Sequence, residues 1–157
     1  MFESIARLFG ADTTTANAPL EPRLAVAALL VHLATVDGVA KPEELRAISH
    51  ALKDHYGLDD SAVARLIEDA RRKDREAVDF YQFTSRLARL EPDEKIAIIG
   101  MMWQVVFADD TNHELEDNMV WRVAELIGVS ARQRTVLRKK ARRATTPPDR
   151  IPEDDDA

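Results

Sequence analysis

Apolar residues recur every three or four positions along most of the chain, which is the spacing of one face of an α-helix. No segment shows the alternation of apolar and polar residues that is typical of a half-buried strand. The most apolar stretch, Leu24–Val36, is too short to cross a bilayer, and we interpret it as a central buried helix. The predicted fold class is therefore all-α, a compact bundle of about seven or eight helices. The other predicted helices are Phe2–Phe9, one after Pro42, one capped by Asp59 or Asp60, Val78–Leu90, Asp93–Phe107, Glu114–Ile127 and one after Ser130.

Local signals mark several helix ends and one interior position. Pro42 suits the first turn of a helix, because no partner is needed there for the N–H that proline lacks. Gly57 predicts a C-terminal stop, and Ser130 with Gln133 forms a capping-box pattern at the start of the last helix. Gly100 lies inside a predicted helix, where we expect it to permit the close approach of another helix.

One pattern returns when the chain is shifted by 72 residues. Asp37 follows a very apolar helix, and Glu44 comes seven residues after it. Asp109 also follows a very apolar helix, and Glu116 comes seven residues after it. In each copy an amphipathic helix, a turn with glycine and a third helix come next. We interpret the chain as two related helical repeats that bury each other's apolar faces in one domain.

The repeat resembles the TerB-like family, named for tellurite-resistance proteins, in the segments ALLVHLATVDGVAKPEE and MMWQVVFADDTNHELE. A related domain occurs at the N-terminus of some membrane-tethered DnaJ-like co-chaperones. The resemblance extends over residues 20–143. It implies a helical bundle with an acidic centre able to bind a divalent metal, and a role in stress response at the membrane, without an established catalytic activity. Asp110 stands where the family pattern usually has glycine, so we expect an altered geometry in the second turn.

The two acidic turns are the candidate functional centre. If the repeats pack about a pseudo-twofold axis, the carboxylates meet at one end, where either a cation neutralises them or their pKa values rise. An all-oxygen site suits Ca²⁺, Mg²⁺ or Mn²⁺ rather than Zn²⁺, and a histidine in the second turn would add a nitrogen ligand for Mn²⁺ or Zn²⁺. The candidate metal ligands are Asp37, Glu44, Asp109, Glu116, Asp110 and His113, with Glu114 and Asp117 in reserve.

The same residues also have a purely structural interpretation. Asp37 and Asp109 would end or cap helices. Glu44 and Glu116 would accept hydrogen bonds from backbone N–H groups near the third position of their helices. Neither turn has the twelve-residue pattern of an EF-hand loop. A cation site and a pair of helix caps therefore both stay open.

Composition narrows the classes of function. The chain of 157 residues contains no cysteine, which excludes disulfides, thiolate metal sites and thiol nucleophiles. No apolar run has the length of a membrane span, and the first ten residues lack the features of a secretory signal, so we expect a cytoplasmic protein. The predicted organisation is a short N-terminal helix and linker over 1–22, the helical domain over 23–144 and a disordered acidic tail over 145–157.

The net charge of −6 is unevenly distributed. Residues 132–143 carry seven basic and no acidic side chains, whereas residues 144–157 carry five acidic and one basic. Binding of nucleic acid or anionic lipid is one interpretation of the basic segment, although it has no aromatic residue for stacking on bases. The interpretation we prefer is a solvated helix whose cations complement its dipole and pair with the acidic tail.

No sequence motif of a known catalytic centre is present: the chain lacks G-x-S-x-G, H-E-x-x-H and a glycine-rich phosphate loop. His32 is expected to be a core histidine with a hydrogen-bond partner, and Trp103 and Trp121 to lie in the core or an interface. We therefore predict a TerB-like binding module rather than an enzyme. Its expected partner is a protein, including one in a membrane-associated complex, and not nucleic acid. The alternative function is a metal-free structural adaptor for protein–protein interaction.

Overall fold

The computed structural model describes residues 20–77, 79–108 and 114–145. These residues form seven α-helices and no strand, which confirms the predicted all-α class. None of these helices has both the length and the apolar composition needed to cross a membrane. The predicted N-terminal helix and the acidic tail beyond Thr145 lie outside the described residues. The helices are α1 (Pro22–Ala34), α2 (Pro42–Tyr56), α3 (Asp60–Glu76), α4 (Tyr81–Leu87), α5 (Pro92–Val106), α6 (Glu114–Ile127) and α7 (Ala131–Thr145).

Proline and a capping box set the starts of four helices. Pro22, Pro42 and Pro92 are each the first residue of a helix, where the N–H that proline lacks would have no partner within the helix. As a result α1 begins two residues earlier than predicted. The predicted capping box precedes α7: Gln133 N donates to Ser130 Oγ (3.1 Å), and Ser130 N donates to Gln133 Oε1 (3.1 Å).

The helix predicted over Val78–Leu90 is too long, because α4 spans only Tyr81–Leu87. Tyr81 N donates a hydrogen bond to Asp79 Oδ1 (2.8 Å), so a side chain closes a turn where the apolar spacing predicted helix. At the other end Pro92 follows, and the residue before a proline is biased away from helical backbone. A polar turn and a proline therefore limit this helix from both sides.

The two predicted repeats are α1–α3 and α5–α7. In each repeat the first helix packs along the third, and these are the two most extensive helix pairs in the described structure. The repeats meet where α1 packs on α5, where α2 packs on α5 and where α6 packs on α1. The short α4 connects them and packs on α1 and α6. The prediction of a helical bundle built from two related repeats is thus confirmed.

The first helix of each repeat forms the core. From Ala25 to Ala34 every side chain of α1 is buried except that of His32, which is half-buried. Most of α5 from Ile98 to Val106 is buried as well. A helix that is apolar on all sides is stable only when neighbouring elements cover it on all sides. The central position predicted for the apolar helix is therefore confirmed, and α5 is its counterpart.

The expectation that Gly100 permits a close helix approach is wrong. A Cβ atom placed on Gly100 would meet no atom within 4 Å. Gly100 instead lines an open groove between α2, α5 and α7. Gly57, in contrast, ends α2 as predicted, with a φ of 65° that favours glycine.

Candidate functional site

The first acidic turn follows α1 and reaches the surface. Asp37 is exposed, and Gly38 after it has a φ of 131°, a conformation that other residues rarely adopt. Gly38 N donates a hydrogen bond to Thr35 O (3.0 Å), which closes the turn. The backbone therefore presents Asp37 to solvent seven residues before Glu44.

Glu44 is the third residue of α2, and only 1% of it is exposed. Its Oε1 accepts a hydrogen bond from Lys41 N (3.0 Å), so Glu44 caps the helix as the structural interpretation predicted. The positive end of the α2 dipole also favours its charge.

The second acidic turn is described only from its helix onward. Asp109, Asp110 and His113 lie outside the described residues. Glu116, the counterpart of Glu44, is the third residue of α6 and is 2% exposed. The two glutamates therefore occupy matched positions in the two repeats, and both are buried.

The two buried glutamates could supply some, but not all, of the ligands of a cation site. Carboxylates are rarely buried unless hydrogen-bond donors or a cation compensate their charge, and hard divalent cations prefer oxygen ligands. Within the described residues, however, no three His, Asp or Glu side chains are grouped so that they could hold a metal ion. A complete site would thus require ligands from residues 109–113, where three of the candidate side chains lie.

Arg134 of the basic helix is buried, with 6% of it exposed. Its guanidinium lies 3.7 Å from the centre of the Trp121 ring, and its Nη1 donates a hydrogen bond to Trp121 O (3.1 Å). Glu125 Oε1 lies 4.0 Å from its Nη2. A cation stacked on tryptophan therefore holds α7 against α6.

Arg138, one turn further along α7, makes a second anchor. Its Nη2 donates a hydrogen bond to Asp117 Oδ2 (3.0 Å), so this reserve metal ligand forms an ion pair with Arg138. The Arg138 guanidinium also lies 5.4 Å from the Trp103 ring centre and 5.3 Å from that of Phe107. Trp103 is buried and Trp121 is half-exposed, and both rings lie against arginines of α7. Trp103 is therefore in the core and Trp121 in a helix interface, as expected.

The interpretation of the basic helix as solvated is therefore wrong for these two arginines. A packed face of α7 runs at three- and four-residue spacing through Arg134, Leu137, Arg138 and Ala141. Counting the charges of the segment did not reveal this face. Arginine can occupy such a face because its stem is apolar and its guanidinium stacks on aromatic rings. The outward side of α7 carries the exposed side chains of Arg132, Lys140, Arg142 and Arg143.

Two histidines connect helices through carboxylates. His32 Nδ1 on α1 lies 2.8 Å from Asp74 Oδ1 on α3, so His32 is the hydrogen-bonded histidine that the sequence predicted. His55 Nε2 on α2 lies 2.6 Å from Glu94 Oε1 on α5. These two side chains therefore bridge helices, and neither belongs to the acidic turns.

Tyr56 lies beside His55, with their ring centres 4.6 Å apart. Its burial, followed by the negative charge of Glu94, raises the pKa of Tyr56 to about 12. The Arg23 guanidinium, 5.0 Å from the ring centre, opposes this shift. The phenol therefore stays neutral at physiological pH, and it joins the start of α1 to the end of α2.

The comparison with protein families gives a match over most of the chain. A family model described as "Tellurite resistance protein TerB" matches residues 23–139, which include the first repeat from its second residue onward, the second repeat as far as the middle of α7, and both buried glutamates. The curated proteins and the solved structures contain no match to this chain.

Proposed function

Because the chain belongs to the TerB family, we propose that it is a TerB-type interaction module in which the two acidic turns bind a divalent cation. The burial of Glu44 and Glu116 at matched helix positions carries this proposal. Two carboxylates that are almost inaccessible to water gain most from a ligand that neutralises them. The family description, tellurite resistance, supports a role in stress response. We further propose that the partner of the module is a protein, including one in a membrane-associated complex.

The proposed ligands are oxygen atoms from both repeats. Asp37 and Glu44 would supply the first set, and the second set would come from Asp109 and Glu116, with Asp110 and His113 nearby in sequence. Such a set suits Ca²⁺, Mg²⁺ or Mn²⁺, and the nitrogen of a histidine would widen the choice to Zn²⁺. A cation held there would join the starts of α2 and α6, and so couple the two repeats.

Calorimetric titration with Ca²⁺, Mg²⁺, Mn²⁺ and Zn²⁺ tests the cation. We expect one of these ions to release or absorb heat on binding to the wild type, and this heat to disappear in the Asp37→Ala, Asp109→Ala double variant. Glu44→Gln should weaken binding while its amide oxygen still accepts the hydrogen bond from Lys41 N. Glu43→Gln is the matched control, because Glu43 is exposed beside Glu44. Equal and negligible heats for all of these proteins would refute the cation site.

A metal-free adaptor is the second candidate, and the hydrogen bond from Lys41 N to Glu44 favours it. This bond accounts for one buried carboxylate without any cation. Thermal melting with and without a chelator separates the two candidates. A bound cation raises the melting temperature by mass action, by roughly 2.7 kcal/mol of stability at a hundredfold excess over its Kd, and an adaptor does not respond.

A further inference from the structure

A groove of about 500 Å³ lies between α2, α5 and α7. It is lined by the C-terminal half of α2 and is therefore distant along that helix from Glu44. Its walls are mostly apolar, and its rim is polar, with Asp54, Asp93 and Lys140. The apolar side chains that line its walls include Ala51, Ile96, Ala97, Met101 and Leu137.

Gly100 stands in the middle of this groove. Glycine is a poor helix former, and α5 is otherwise built from good helix and core residues. A Cβ atom at this position would meet nothing within 4 Å, so the packing of α1–α7 provides no reason for glycine. A further element lying in the groove, close to the α5 backbone, would provide that reason.

We propose that this groove is the docking site of the chain's own residues 1–10, a segment outside the described structure. The segment carries Phe2, Ile5, Leu8 and Phe9 at the spacing of one helical face. An amphipathic helix typically places such a face in an apolar groove. Docking would bury the apolar face of the segment and the apolar walls of the groove against each other.

The described chain begins at Leu20, whose O accepts a hydrogen bond from Arg86 Nε on α4 (2.7 Å), and it then reaches the end of α2 through the first turn of α1. Arg23, in the first turn of α1, places its guanidinium 5.0 Å from the Tyr56 ring centre. The Tyr56 ring contacts that of His55, with centres 4.6 Å apart, and His55 lines the groove. Residues 11–19 reach roughly 30 Å when fully extended, which is about the diameter of a small domain, so the linker is long enough to bring residues 1–10 to the groove.

Charge is also complementary between segment and rim. The segment carries one acidic residue, Glu3, and one basic residue, Arg7. The rim of the groove likewise carries both signs, with Lys140 opposite in charge to Asp54 and Asp93. Arg7 can therefore face an aspartate while Glu3 faces the lysine. This pairing does not involve the acidic turns, so the proposal stands independently of cation binding.

The absence of cysteine allows spin labels to be placed at chosen positions in the full chain. Ser4→Cys with Glu91→Cys puts one label on the segment and one on the exposed residue that precedes α5, beside the groove. Ser4→Cys with Asn118→Cys is the reference pair, because Asn118 is exposed on α6, which does not line the groove. Distances are measured by double electron–electron resonance.

We expect a single narrow and short distance for the first pair. Ile5→Asp with Leu8→Asp should broaden and lengthen it, and so should Gly100→Leu, which fills the groove. Ser85→Leu, which adds the same side chain to an exposed position on α4, should leave it unchanged. A broad distance already in the wild type, or no response to the segment and groove variants, would overturn the proposal.

A mixture of chains that each carry one label tests for a second copy. A short distance in this mixture would mean that the groove takes the segment of another molecule, which also overturns docking within one chain. Circular dichroism checks each variant for helical content. If Gly100→Leu fails to fold, Ile5→Asp with Leu8→Asp alone decides the outcome, because both residues lie outside α1–α7.

Discussion

Replacing Arg134 with alanine should destabilise the domain far more than the same change at Arg132, two residues earlier on the same helix. Arg134 is 6% exposed, stacks on Trp121 at 3.7 Å and donates a hydrogen bond to Trp121 O. Arg132 is exposed at the start of α7. The two substitutions remove the same side chain and the same charge, so they differ mainly in the contacts that are lost.

The magnitude follows from these contacts. A hydrogen bond from a charged donor contributes about 1.5–3 kcal/mol, and a cation stacked on tryptophan about 0.5–2 kcal/mol. Part of this loss is offset, because removing Arg134 also removes the cost of burying its charge and its Nε, which has no hydrogen-bond partner in the described structure. We expect a net loss of about 2–3 kcal/mol for Arg134→Ala. For a protein of this size that lowers Tm by about 4–12 °C.

Urea denaturation followed by circular dichroism measures this difference. Arg132→Ala should change the free energy of unfolding by less than about 0.5 kcal/mol, as surface substitutions usually do. Arg134→Met should recover part of the loss, because methionine keeps an apolar stem over the Trp121 ring. Equal effects of Arg134→Ala and Arg132→Ala would refute the conclusion that Arg134 anchors α7.

Three further predictions concern single side chains. The free energy of unfolding should fall as the pH rises from 10 to about 12, because the pKa of the Tyr56 phenol is near 10 in the unfolded chain and about 12 in the folded one. Urea denaturation at several pH values across this range should show a smaller fall for Tyr56→Phe than for the wild type. Glu44→Ala should cost about 0.5–2 kcal/mol through loss of the helix cap, whereas Glu44→Gln keeps an oxygen for Lys41 N, and equal losses in urea would exclude the cap. Gly57→Ala should cost about 1–2 kcal/mol by calorimetry because of its φ of 65°, and an unchanged Tm would contradict this.

The fold was largely predictable because its main signals are local. The apolar runs in α1 and α5 and the prolines at their first positions act within a few residues, so the sequence predicts the bounds of these two helices to within two residues. The shortened α4 was missed because one side chain, that of Asp79, bonds to backbone that the apolar spacing assigned to helix. Gly100 was misjudged because the space around a residue depends on helices distant in sequence.

At the candidate site the sequence predicted the helix cap at Glu44 but not the burial of this residue. The position of Glu44 three residues into a helix indicated a cap, and the cap is present. Its burial depends on how α2 packs against α1 and α5, which no local pattern contains. Arg134 was misjudged for a related reason, since the tryptophan that receives it lies on another helix. Long-range packing therefore decides which charged residues are inside.

The burial of α1 on all sides has a consequence for synthesis of the chain. Of the described helices α1 leaves the ribosome first, and α5, which covers part of it, begins 70 residues later. At typical translation rates of about 5–20 residues per second this interval is about 4–14 s. Throughout that time an almost wholly apolar helix lacks the cover that α5 and α6 provide, so we expect the first repeat to complete its packing only after α5 has been made.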